Sequence, residues 1–272
     1  LMMVVSLIIF VINKNKFPDP AARKSQNADK ATHSKEEIKM SADEIRQRIY
    51  ALFAVFGVVI FFWLSFHQNG YSLTYFARDY VNLDVININL GFTTIKGAEI
   101  FQCVNPFFVV SLTPLIMWFF GFLKKRGKEV STPMKIGIGM GIASLAYVFL
   151  MIFSLTLPAK DALSSMSAEA LSAIKVTPFV MIGLYFILTV AELFISPLGL
   201  AFVSKVAPPH LQGLMQGCWL AATAIGNALL FIGGILYTSV PIWACWLVFV
   251  GATGMSMLVM LSMVKWLERV AR

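Results

Sequence analysis

Six runs of apolar residues, each about long enough to cross a bilayer, limit what this chain can fold into more than any other feature. They lie at 48–67, 100–123, 136–157, 177–203, 212–238 and 242–265. A helix needs about 20 such residues to span the hydrocarbon layer. The expected fold class is therefore an all-α membrane protein. The first run is expected to continue as helix past the membrane surface towards Val81. A further run at 1–12, "LMMVVSLIIFVI", is too short to cross and reads as the tail of a preceding span. The chain starts inside that run, so it is expected to be a fragment, or the second half of something longer. It lacks the charged start and small-residue cleavage site of a signal peptide. Charged residues make up 13%, against about 25% in soluble domains. The intervening segments are polar or turn-rich, and no soluble domain fits in them.

Lys and Arg set the orientation. Segments 13–48 and 124–135, Lys205 and the tail from 265 hold 18 of them; the opposite side holds four, Arg78, Lys96, Lys160 and Lys175. The richer side is expected to be cytoplasmic. The net charge of +8 is thus a topology signal. No face interleaves basic and aromatic residues as nucleic-acid binding requires, so no nucleic-acid partner is expected. Residues 13–48 carry nine basic and six acidic residues and read as a solvated linker. It becomes helical near "SADEIRQR", where Ser41 is placed to cap with Glu44 three residues on.

Within the spans one ionisable residue stands out. Glu192 lies in "ILTVAELFISPLGLAF", 17 residues from Lys175 and 13 from Lys205, near the expected midplane. An ionised carboxylate there costs at least ~2.5–3.5 kcal/mol. A packing acid kept neutral or bonded to a neighbour is one reading. A cation or proton site is the functional one, and no Lys or Arg of this chain lies at that depth to be its partner. Ser196, four residues on, shares its face. Pro197 removes a backbone hydrogen bond and weakens the helix there, and Gly199 follows closely. Such points in transporters serve as hinges or binding sites, and a structural kink alone explains Pro197 equally well.

Other candidates are weaker taken singly. Trp63 and His67 share a face at i, i+4, and His67 has an ordinary titration range near neutral pH. Asn105-Pro106 interrupts the second span with an amide. Gly213 and Gly217 form a G-x-x-x-G that permits close helix approach. Trp219 lies too deep to belong to an interfacial belt. Cys103, Cys218 and Cys245 sit in apolar runs and read as small buried hydrophobes. No His/Cys/Asp/Glu cluster has metal-ligand spacing and no phosphate loop is present, so neither a metal nor a cofactor is expected. An intramembrane enzyme would need a nucleophile–base pair or paired carboxylates, and neither is present.

The stretch "AELFISPLGLAFVSKVAPPHLQGLMQGCWLAATAIGN" resembles spans ten and eleven of the proton-coupled oligopeptide transporters, a family of the major facilitator superfamily (MFS). "FFWLSFHQNG" resembles that family's seventh span and "NPFF" its eighth, and the likeness runs in order over residues 50–265. The resemblance implies the end of span six at 1–12, a cytoplasmic linker at 13–48, a six-helix C-terminal bundle at 49–266 and a cytoplasmic tail at 267–272. It implies that Glu192 faces the central cavity, receives a peptide amino terminus and takes part in proton coupling. It matches Asn105 to a residue holding that amino end. Trp219 matches a side-chain pocket, and Ser196 and Trp63 match cavity residues. Burial favours a protonated carboxyl in the empty cavity, and an arriving ammonium favours the ionised form.

His67 departs from the family. Many relatives carry an acid there, bridged to a base of span one across an outer gate. His67 cannot make that bridge as an anion, so a hydrogen-bonded or protonation-controlled latch is expected. The E-x-x-E-R motif and the bases that hold the peptide carboxylate belong to the other half, so this chain alone is not expected to transport. The resulting expectation is half of a proton-coupled di- and tripeptide symporter. It would work by alternating access in a bacterial inner membrane, with protons as coupling ion and the bilayer and an N-terminal bundle as partners. An MFS carrier for another solute and a non-transporting membrane partner or scaffold remain the alternatives.

Overall fold

The computed structural model describes residues 7, 10–13, 40–84, 86, 88–89, 94–95 and 97–271. The chain divides into two compact units, 1–44 and 45–272. In the first, residues 10–13 are helical. The Ser41 hydroxyl accepts the Glu44 N–H at 3.1 Å, which caps a helix as its sequence implies. The rest of the expected span-six tail and most of the expected linker, residues 1–6, 8–9 and 14–39, lie outside the described residues.

Among the described residues, ten α-helices follow from that cap. They are α1 (Ala42–Phe66), α2 (Ser72–Tyr80), α3 (Val104–Lys125), α4 (Thr132–Ser154), α5 (Lys160–Leu163), α6 (Ala168–Ile174), α7 (Pro178–Val206), α8 (Gln212–Ala228), α9 (Phe231–Ser239) and α10 (Ile242–Val270). A two-residue antiparallel hairpin, β1 (Ile88–Asn89) and β2 (Thr94–Ile95), decorates the loop before α3. Among the described residues, six stretches are long and apolar enough to cross a membrane: Ala42–Tyr80, Ala98–Lys125, Thr132–Ser154, Pro178–Val206, Pro209–Ser239 and Ile242–Val270. They coincide with the six expected spans, and the all-α class holds.

The boundaries differ where caps rather than hydropathy decide them. The first span starts at Ala42, with Asp43 and Glu44 in its first turn, where acids suit the helix dipole. It passes through a 3-10 turn at His67–Gly70 before α2 carries it to Tyr80, as the sequence leads one to expect. α3 ends in a Schellman motif. The Gly127 N–H bonds the Lys124 carbonyl and the Lys128 N–H bonds the Leu123 carbonyl, both at 3.0 Å. Gly127 takes φ +71°, which glycine adopts without strain. α7 runs unbroken through Pro197. The fifth span is instead interrupted between α8 and α9, at Leu229–Leu230.

Hydrogen bonds and close packing tie the bundle together. α4 lies against both α7 and α10. A Cβ at Gly139 would fall 2.8 Å from Phe194 and Ile195 side-chain atoms, so a missing side chain is what lets α4 approach α7. The Tyr147 hydroxyl donates to the Ser65 carbonyl, joining α4 to α1. Trp246 of α10 is fully buried among Phe76, Tyr147 and Phe249, and its indole N–H donates to the Ser154 hydroxyl at 3.1 Å. Trp246→Ala is expected to fall at the low end of the ~3–5 kcal/mol typical of such truncations. Lipid is as apolar as the core, so lost packing rather than water transfer dominates. SDS-titration unfolding in mixed micelles measures it, and a wild-type midpoint would refute the assignment.

Two of the membrane-length spans, the second and the fifth, are the least covered. No residue of α3 is buried, and α8 buries only Met215, Trp219, Ala222 and Gly226. All three cysteines are free. Cys245 is buried and Cys218 half-buried, but Cys103 is exposed, contrary to the sequence reading, because α3 lacks a cover on that side.

Candidate functional site

Glu192 sits on α7, half-buried, one turn after the fully buried Thr189. Spacing of three puts both on one face. Asn105, in the first turn of α3, comes across to meet them. Its amide nitrogen donates to Glu192 Oε2 at 3.0 Å and to Thr189 Oγ1 at 3.1 Å. The Thr189 hydroxyl in turn donates to the Tyr185 carbonyl at 2.7 Å. The acid that stands out within the apolar spans therefore has an amide as its partner rather than a base. A neutral donor leaves the charge of an ionised carboxylate uncompensated by any base at this point.

A second polar knot lies nearby. The Asn69 carbonyl accepts from Gln102 at 2.6 Å, from Thr74 at 2.9 Å and from Tyr185 at 3.2 Å. Gln102 precedes Asn105 by three residues, so this knot fixes the start of α3. Tyr185 belongs to both networks, through its carbonyl and its hydroxyl. Gln68 is fully buried beside them. It donates to the Leu64 and Leu230 carbonyls and accepts from Ser72.

The aromatic candidates form two further groups. Trp63 stacks on His67 with centroids 4.9 Å apart and meets Phe62 and Phe66 edge-on. Trp63 Nε1 is buried without a hydrogen-bond partner among the described residues. Trp219 is buried, packs edge-on against Phe56, and lies directly over Gly199, whose missing side chain makes room for the indole. Among the described residues, no hydrogen bond or ring contact links the Trp63–His67 stack to Glu192. Ser196 is half-buried and makes no hydrogen bond there.

Gly213 and Gly217 are exposed and face open space within this chain. The close approach expected of them is made here by Gly226 and Gly199 instead. A 720 Å³ groove between α1 and α10 is lined by apolar residues such as Phe53, Phe61 and Met255 and holds none of the site residues. Among the described residues, no three His, Cys, Asp or Glu side chains meet to hold a metal. The sequence reading did not single out Thr189, Tyr185 or Gln102. The available signal was spacing: Thr189 and Gln102 each lie three residues before a site residue.

A helical bundle with six membrane-length spans among the described residues, holding one carboxylate against one amide on facing helices, defines a multi-pass membrane protein with a polar pair between two of its helices. A family model described as the POT family matches residues 1–240, and the chain belongs to that family. It is 30% identical over 197 residues to the peptide transporter YePEPT of Yersinia enterocolitica, a match covering 72% of this chain and 35% of that protein. It is 28% identical over 198 residues to dipeptide and tripeptide permease B of Shigella dysenteriae, covering 72% and 36%. The chain therefore spans well under half the length of these relatives. Among solved structures, a point mutant of the peptide transporter POT superposes with TM-score 0.69 at 22% identity, covering 100% of this chain and 52% of that one. Another, in complex with alafosfalin, gives 0.66 at 24% identity, covering 86% and 44%. These likenesses carry the fold of the chain alone.

Proposed function

We propose that this chain is the C-terminal half of a proton-coupled symporter for di- and tripeptides. The observation that carries the reading is the Asn105–Glu192 pair, inside a chain that belongs to the POT family. Glu192 takes either a proton or the substrate's ammonium, and Asn105 holds the same amino end. Trp219, Ser196 and Trp63 line the surrounding cavity, and His67 serves as a latch at the outer gate. Gly199, Pro197, Gly213 and Gly217 are the positions where spans flex or slide. The exposed faces of α3 and α8 receive the N-terminal six-helix bundle, and the two bundles rock about the site in alternating access. The protein lies in a bacterial inner membrane, with the segment before α1 and the C-terminus cytoplasmic. The only coupling ion is the proton, and no cofactor or metal takes part.

The test uses the full-length protein in proteoliposomes. Labelled dialanine is expected to accumulate under an inward proton gradient, to be displaced by other dipeptides and to leak away with a protonophore. Well-folded protein that takes up no dialanine overturns the reading.

A further inference from the structure

Asn105 has an amide with two different ends, and which end faces a ligand decides what the site accepts. The amide nitrogen carries two hydrogens, and here both are used, one on Glu192 and one on Thr189. The oxygen must then point away from both. Glu192 does not enforce this orientation by itself. Ionised, it accepts from the amide nitrogen; protonated, it donates equally well to the amide oxygen. Thr189 does enforce it. A threonine hydroxyl has one hydrogen, and Thr189 spends it on the Tyr185 carbonyl at 2.7 Å. Towards Asn105 it is an acceptor only, so the amide can offer it nothing but its nitrogen.

We infer that Thr189 fixes the direction of the Asn105 amide and so makes the site a two-oxygen receptor for a primary ammonium. Among the described residues, no group donates to Asn105 Oδ1 or to Glu192 Oε1. Neither oxygen is among the buried unpartnered atoms, so both remain open to a ligand. A primary ammonium brings three N–H donors, two of which match these acceptors. Thr189 touches no ligand in this scheme. It is a positioning residue that acts through Asn105, and it confers preference for a charged amino end over a blocked or neutral one. The inference rests on the reading that Asn105 and Glu192 receive the substrate's amino end.

The test compares full-length wild type, Thr189→Val and Thr189→Ser, each titrated with dialanine and with N-acetyl-dialanine. Valine keeps the shape of threonine and removes the acceptor; serine keeps the acceptor. Thr189→Val is expected to weaken dialanine binding about tenfold or more, the size of one charge-assisted hydrogen bond. It should leave N-acetyl-dialanine nearly unchanged, and Thr189→Ser should restore the preference. Equal losses for both peptides, no loss at all, or a serine variant as poor as valine would overturn the inference. If wild type binds neither peptide, the peptide reading fails. The inference is then decided with n-hexylammonium against n-hexanol: a Thr189→Val loss confined to the ammonium upholds it, and any other pattern overturns it.

Discussion

Glu192→Gln in the full-length protein is expected to reduce gradient-driven dialanine uptake to background while leaving the amount and melting of folded protein unchanged. Glutamine matches glutamate in shape, and its amide oxygen still accepts the Asn105 N–H, so the 3.0 Å bond between α3 and α7 has a substitute. Two things are lost. Glutamine neither carries a proton nor balances an ammonium. Removing one partner of a desolvated charge pair costs about 2–5 kcal/mol, or roughly 30- to 4,000-fold in affinity. Exchange of labelled for unlabelled dialanine without a gradient should fall with it, because the proposed function assigns binding and coupling to one group. Uptake at the wild-type rate would return Glu192 to a packing role. A loss of folded protein would show that the carboxylate is needed for assembly.

Gly226→Val is expected to remove folded protein altogether. A Cβ at this position would lie 2.7 Å from Trp63 Cβ, 2.9 Å from the Ile60 carbonyl oxygen and 3.0 Å from the Leu64 nitrogen. Two of these three atoms are backbone, so no rotamer change relieves the overlap. α8 and α1 would have to separate, which would strip cover from Trp63 and Trp219, both buried at or near this crossing. In a membrane, helix association depends on close packing rather than on exclusion of water, so nothing offsets the lost contact. Overpacking costs about 1–3 kcal/mol where neighbours yield, and more where they do not. Size-exclusion chromatography in detergent should show Gly226→Val as aggregate, whereas Gly217→Val, which faces open space within this chain, should leave this bundle's packing intact. A monodisperse Gly226→Val would disprove the tight crossing.

The spans were legible because long apolar runs admit few structures in lipid, but hydropathy marks the hydrocarbon layer rather than the helix. Ser41 starts α1 well before its apolar run, and Gly127 ends α3 by a turn whose signal is conformational. Glu192 was legible because one acid among apolar residues carries its cost openly. Asn105 gained its role only from resemblance, since spacing along one helix does not say what stands across from it. Thr189 was hidden for a related reason. Ser65, Ser154, Thr253 and Ser256 all bond the carbonyl four residues earlier, as hydroxyls in membrane helices commonly do. Thr189 does the same, and its added partner on α3 is invisible from its own helix. The Gly213–Gly217 motif was readable, but the surface it meets was not. Gly199 and Gly226 belong to no motif, yet each lies beneath or beside a tryptophan. Pro197 was expected to weaken α7. One missing hydrogen bond proved too little to interrupt a helix held along most of its length by neighbours.

The carbonyl of Asn69 works as a rivet. The foot of α3 and the first third of α7 are fastened to the end of the first span at that single oxygen, by Gln102 and Tyr185, while Thr74 of the same span holds the oxygen from its own side. Shearing α3 or α7 past the first span strains a bond to the same atom, so the three elements are pinned together there. The fifth span keeps its own continuity by a different means: between α8 and α9 the Leu230 N–H bonds the Asn227 carbonyl and the Gly233 N–H bonds the Leu230 carbonyl, each three residues back, so the chain turns there by tightening its ladder rather than breaking it.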